Sequence, residues 1–178
     1  MLQLVIDGQE IFNEDSNEFI VTNSCVLQLE HSLISVAKWE AKWHKPFLSN
    51  DNKSIEELRD YVKCMTLNKN VDDSVYLSLT FENFEAINAY INDPMTATTI
   101  RKGTSKRNNR ILTSELIYYW MIAAGIPFEC EKWHLNRLIT LIEVCGAESN
   151  PKKMSKNEIR KQNAAINAAR RARTGSRG

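Results

Sequence analysis

Residues 26–46 read VLQLEHSLISVAKWEAKWHKP, and the period of the apolar positions changes inside this stretch. Val26-Leu27-Gln28-Leu29 has the alternation of a short strand facing a core on one side. From Ser32 onward Leu33, Val36, Ala37, Trp39 and Trp43 recur on one face of a helix that must stop before Pro46. A strand that hands over directly to a helix points to an α+β chain, with sheet on the N-terminal side and helices beyond.

Toward the N-terminus the signals stay β-like. Leu2, Leu4 and Ile6 alternate, Asp7-Gly8 is a hairpin turn signal, and Glu10-Ile11-Phe12 reads as the return strand. After the polar turn Asn13–Asn17, Phe19-Ile20-Val21 offers a further strand. The expectation over 1–30 is a small antiparallel sheet of three or four strands, or hairpins.

Toward the C-terminus the pattern is helical. Ser54 with Glu57 forms a capping box that starts a helix through Leu58, Tyr61, Val62 and Met65. Val71–Leu79 reads as a short helix. Thr80 caps another, with Phe84, Ile87, Ala89, Tyr90 and Ile91 apolar, ended by Asp93-Pro94. Thr113 or Ser114 is the expected cap of an apolar helix reaching Ala124, with Gly125 at its C-terminal stop. Pro127 is expected to open the longest core helix, running to about Cys145 and ended by Gly146. Ser155 and Glu158 suggest a second capping box, before a helix from Asn157 to about Ala172. That helix is rich in alanine, and its only large apolar residues are Ile159 and Ile166, a stripe too narrow to pack firmly. It reads as a projecting helix. The organisation is therefore a β-rich segment 1–30, a helical domain 31–150 forming one domain with it, and a basic extension 151–178.

Charge divides the chain along the same line. Residues 151–178 hold nine Lys or Arg and one acid, a formal charge of about +8, while residues 1–150 sum to about −7. The whole-chain value of +1 conceals this. Such a tail favours an anionic partner surface, nucleic acid, or the acidic body of another copy. A second basic run, Arg101, Lys102, Lys106, Arg107 and Arg110, contains no acid. The longest apolar run, Leu116–Phe128, is short of the roughly 20 residues needed to span a bilayer. No secretory signal is recognisable at Met1–Gly8, so Cys25, Cys64, Cys130 and Cys145 are expected as buried, reduced thiols of a cytosolic protein.

The candidate chemical constellations are weak. Cys130 and His134 lie four apart on an expected helix face, but no CxxC pair exists, and His31 and His44 sit in other segments. The expectation is core cysteines and a histidine at a helix surface. Glu56-Glu57 and Asp72-Asp73 fall at helix N-termini, where carboxylates complement the dipole. No glycine pattern for cradling phosphate is present. The residues thus give no support to an enzyme and call for no cofactor or metal. Trp39, Trp43, Tyr118, Tyr119, Trp120 and Trp133 fall at core-like spacing. Tyr118-Tyr119-Trp120 nevertheless spans about 200° of a helix, so at least one ring is expected outward as a partner contact.

Five blocks carry a resemblance: LQLEHSLISVAKWEAKWHKPFL (27–48), YVKCMTL (61–67), INAYINDPMTATT (87–99), SELIYYWMIAAGIPFECEKWHLNRLITLIEVC (114–145) and KKMSKNEIRKQNAAINAARRAR (152–173). Together they resemble a tailed-bacteriophage family of virion morphogenesis proteins whose members look like tail assembly chaperones. The loop at 100–110 departs from that family in being short and unusually basic. The resemblance implies a non-catalytic helical protein that coats the tape measure protein, keeps its apolar helices soluble, and recruits tail tube subunits in the host cytoplasm during assembly. Its rival within the same resemblance is a virion component, a head–tail connector or tail-completion protein. Nucleic-acid binding ranks third, because the acidic body repels that ligand, and a membrane partner is not expected. The partner-contact candidates are Tyr118, Tyr119, Trp120 and Trp133, the loop cations Arg101, Lys102, Lys106, Arg107 and Arg110, and the tail cations Lys152, Lys153, Arg160, Lys161, Arg170, Arg171 and Arg173. Self-association through the tail is a further expectation.

Overall fold

The computed structural model describes residues 1–13, 17–49, 51–99, 111–149 and 156–174. The fold is α+β. Its contacts divide into two units, Met1–Cys145 and Gly146–Gly178.

The first unit starts with four strands, β1 (Leu2–Ile6), β2 (Glu10–Asn13), β3 (Glu18–Val21) and β4 (Cys25–Leu29). β1 pairs antiparallel with β4, and β2 with β3, as two separate two-stranded ladders. This corrects the expected turn at Asp7-Gly8 and the sheet of three or four strands. Partner numbers add to 31 in both ladders, so they are the base and the distal half of one long hairpin. Between them Thr22 N donates to Gln9 O at 2.8 Å and Gln9 N donates to Thr22 Oγ1 at 2.9 Å, carrying the pairing across the gap. Gly8 serves close approach instead of a turn: a Cβ there would lie 2.7 Å from Thr22 O and 3.1 Å from Ser24 N. Because both obstacles are backbone atoms, Gly8→Ala is expected to cost about 2 kcal/mol in urea denaturation. An unchanged midpoint would show that the two chains separate freely there.

The free edge of β4 is covered by the segment that follows helix α2 (Ile55–Met65). Glu30 N donates to Met65 O at 2.9 Å, Leu67 N to Gln28 O at 2.8 Å, and Gln28 N to Asn68 Oδ1 at 2.6 Å. Leu27, Leu29, Leu33, Trp39 and Met65 are buried together where sheet and helices meet.

Helix α1 (Leu33–Trp43) begins at Ser32, whose hydroxyl accepts from Ser35 N, and ends before Pro46. Both partners of the Ser54–Glu57 capping box are present on α2, and Thr80 with Asn83 does the same for α3 (Phe81–Asn92), which stops at Asp93-Pro94. The expected helix in 71–79 is a 3-10 turn, Asp73–Tyr76. Helix α4 (Ser114–Ala123) ends as expected, with Gly125 at φ 66°. Its start differs from expectation: neither Thr113 nor Ser114 supplies a side-chain cap, and the carboxylate of Glu40 on α1 takes that place. Glu40 Oε2 accepts from Ser114 N at 2.8 Å and Ser114 Oγ at 2.5 Å, and Oε1 accepts from Phe47 N at 2.8 Å. A buried negative charge at a helix N-terminus complements both the unpaired N–H groups and the dipole.

Pro127 opens only a 3-10 turn, Phe128–Lys132, and α5 starts at Leu135 and runs to Ser149. The single long helix expected there is broken because Trp133-His134 is drawn into extended backbone. His134 bridges to Ser32, and Leu135 N donates to His31 O at 2.7 Å. Gly146 lies inside α5 and does not end it. A Cβ there would meet nothing, and one exposed glycine costs a helix only about 1 kcal/mol, less than a break requires. In the second unit α6 spans Lys156–Thr174, and its described side chains from 160 to 171 are exposed. The expected cap Ser155 lies outside the described residues.

Candidate functional site

The most catalytic-looking cluster is a pair of histidines that the segments keep far apart in sequence. His31 and His134 rings meet edge to face with centroids 5.2 Å apart, so His134 is buried and not at a helix surface as expected. Each ring has a structural task. His134 Nδ1 accepts from Asn136 N at 3.3 Å, which leaves Nε2 to donate to Tyr90 O at 3.1 Å. Asn136 Nδ2 donates to Ile91 O at 2.9 Å and Asp93 O at 2.8 Å. Together they satisfy the last carbonyls of α3, which ends without a basic residue of its own. His31 Nδ1 bonds Tyr61 Oη at 2.5 Å. Burial, then the neighbouring His134, pushes His31 down to about 3, and it is only 1% exposed. A general base needs reach to a substrate proton, and this pair is buried among the rings of Phe47, Tyr61 and Tyr90.

The thiols give no better centre. Cys130 is buried, whereas Cys25, Cys64 and Cys145 are half-buried, so the expectation of four buried thiols holds for one. Burial pushes the Cys25 and Cys64 thiols up, away from the reactive thiolate. Among the described residues no three His, Cys, Asp or Glu gather where a metal could sit, and no helix is long and apolar enough to cross a membrane.

The surface carries a different kind of feature, a groove of about 550 Å³ between α2 and α3. Leu58, Tyr61 and Val62 form one wall and Phe81, Phe84, Ile87, Asn88 and Ile91 the other, with Phe47 at the floor. Phe47 stacks on Tyr61 with centroids 3.7 Å apart, and Lys53 Nζ sits 5.0 Å from the Phe47 ring centroid. The floor is thus aromatic, and the rim carries one cation, Lys53, and one acid, Glu85. Among the described residues Phe81, at 76% exposure, is the most exposed large apolar side chain. That ring extends the apolar surface of the groove into solvent. Phe81 follows the Thr80 cap directly, a position the helical periodicity of α3 does not single out, and the groove needs the partner wall from α2.

The expected contact residues are spread more widely. Tyr119 points outward from α4 at 63% exposure, beside the equally exposed Ile122. Tyr118 is half-buried; its hydroxyl donates to Glu131 Oε2 at 2.8 Å, and burial with that carboxylate pushes the phenol up. Trp120 is half-buried, and so is Trp133, whose ring lies under the Arg137 guanidinium at 4.3 Å. None of these four lines the groove. Arg160, Lys161, Arg170 and Arg171 are exposed on α6, and Arg173 lies in its last turn. Arg101, Lys102, Lys106, Arg107, Arg110, Lys152 and Lys153 lie outside the described residues.

No protein-family model matches the chain, no curated protein matches it, and no solved structure matches it.

Proposed function

We propose that this chain is a non-catalytic morphogenesis protein of a tailed bacteriophage, a tail assembly chaperone. In this reading it holds apolar helical segments of the tape measure protein and works in the host cytoplasm before the tail closes. The phage assignment rests on the five sequence blocks quoted above. The observation that carries the binding role is the groove between α2 and α3.

The groove suits an amphipathic helix. Its α3 wall presents Phe84, Ile87 and Ile91, and seven residues of helix span about 10.5 Å. A guest helix offers apolar side chains at the same i, i+3 or i+4, i+7 spacing, so two turns of guest match two turns of wall. About 550 Å³ admits two or three side chains and leaves the guest backbone outside. That shallow grip suits a chaperone, which must later release its cargo. Tail tube recruitment falls in the same reading to the exposed face of α4, where Tyr119 and Ile122 stand uncovered.

Co-expression with the tape measure protein tests this. The wild-type chain should keep tape measure segments in the soluble fraction and co-purify with them. Phe81→Asp should lower the co-purified amount at least tenfold, while its exposed position keeps the melting temperature within a few degrees. Soluble capture undiminished in Phe81→Asp would remove the groove, and no capture by wild type would remove the chaperone role. Presence of the chain at fixed stoichiometry in purified virions would favour the structural role instead.

A further inference from the structure

The hairpin runs past the core it helps to build. β1 and β4 bury Leu4, Ile6, Leu27 and Leu29 against the helices, whereas β2 and β3 continue the same pairing with Phe12, Phe19 and Val21 uncovered. Phe12, Phe19 and Val21 share the alternation parity of those core residues. Phe12 and Phe19 are a cross-strand pair with rings 5.0 Å apart, yet Phe19 is 66% exposed and Val21 70% exposed. A two-stranded ladder is marginal in water by itself, and one that spends aromatic side chains on an open face is a surface made to be covered.

The charges of the chain name the cover. From Met1 to Ala37 the sequence has six acids and no Lys or Arg, with Glu10 exposed on β2 itself. The opposite composition, nine cations and one acid, lies in 151–178. Helix α6 sets Ile159 and Ile166 seven residues apart, with alanines at 165 and 169 beside them, and Ile166 is exposed. That apolar stripe is one side chain wide. A two-stranded ladder, with strands about 4.8 Å apart, is similarly narrow, and small alanines let a helix backbone come close to the aromatic rings.

We propose that the β2–β3 ladder of one copy docks onto the basic helix α6 of a second copy. Apolar contact between Phe12, Phe19 or Val21 and the Ile166 stripe is flanked by pairing of Glu10, on the same face as Phe12, with Arg160, Lys161 or Arg171. The contact joins the distal hairpin of one chain to the C-terminal helix of the next, so it is heterologous and can be repeated along a chain of copies. It uses neither the groove nor the cargo, and it stands or falls apart from the chaperone reading.

Sedimentation of the full, nuclease-treated chain at about 50 mM and about 500 mM salt tests the proposal, since pairing of exposed charges weakens as the screening length shrinks. Association should appear at low salt and recede at high salt. Glu10→Lys with Phe19→Ser in one variant, or Arg160→Glu with Lys161→Glu in another, should each raise the dissociation constant about tenfold. Glu10→Lys alone, a surface change that leaves the hairpin packing intact, should give a smaller rise in the same direction. Mixing the two double variants should restore association, because each still carries one intact half. A wild-type chain that stays monomeric, association that is lost on nuclease treatment, or variants that associate like wild type would each overturn the proposal. So would a mixture that stays monomeric.

Discussion

Glu40→Ala is expected to lower stability by about 4 kcal/mol, the largest effect of a single substitution in this chain outside its hydrophobic core. The carboxylate accepts three hydrogen bonds, from Ser114 N, Ser114 Oγ and Phe47 N, and all three donors are buried. Alanine leaves them without acceptors, and a buried donor that loses a charged partner costs roughly 1–3 kcal/mol. Thr113→Ala is the informative control. Thr113 sits where a cap belongs but makes no side-chain cap bond, so its removal should cost under about 0.5 kcal/mol instead of the roughly 1 kcal/mol of a working cap. Urea denaturation of both variants checks the pair. Equal losses would mean that Thr113 caps α4 in solution and that Glu40 does not.

Acid should destabilise the protein well before its carboxylates titrate. Unfolded, His31 takes up a proton near pH 6.5; folded, burial and the adjacent His134 hold it down to about 3. Between those values the unfolded chain binds a proton that the folded chain refuses, so stability falls as the pH drops below about 6.5. The slope from this group is about 1.4 kcal/mol per pH unit once below the unfolded value. Glu57, held low first by the Lys45 hydrogen bond and then by Ser54 N, adds its loss only further down, as its own carboxylate protonates. The interval from about 6.5 to 4.5 therefore isolates the contribution of His31. His31→Phe combined with Tyr61→Phe removes both ends of the buried hydrogen bond together, which avoids an orphaned donor. Denaturation midpoints of this double variant should vary much less over that interval than those of wild type. An identical slope in both would assign the acid sensitivity to other groups.

Features written into neighbouring residues were legible in the sequence. The change of period at Ser32, the capping box at Ser54, the cap at Thr80, the stop at Asp93-Pro94 and an outward ring among Tyr118-Tyr119-Trp120 all follow from spacings within one or two turns. What the sequence hid is set by contacts between distant segments. Gly8 looks like a turn residue until Thr22 is placed across from it. The cap of α4 comes from Glu40, 74 positions earlier, so the local rule pointed to the wrong side chain. His31 and His134 share no motif, and the strand-like bridge between Ser32 and His134 is what breaks the helix expected after Pro127. The groove needs one wall from α2 and one from α3, and its most telling member, Phe81, lies at a helix start where periodicity says least.

We propose that the groove between α2 and α3 receives an apolar helix of the tape measure protein. Hydrogen–deuterium exchange of the full chain, with and without a tape measure segment of amphipathic helical pattern, tests it most directly. Exchange in 55–65 and 81–92 should slow on adding the segment, the slowing should be lost in Phe81→Asp, and the β1–β4 ladder should be unchanged. Protection confined to other elements, or protection at the groove that persists in Phe81→Asp, would contradict it.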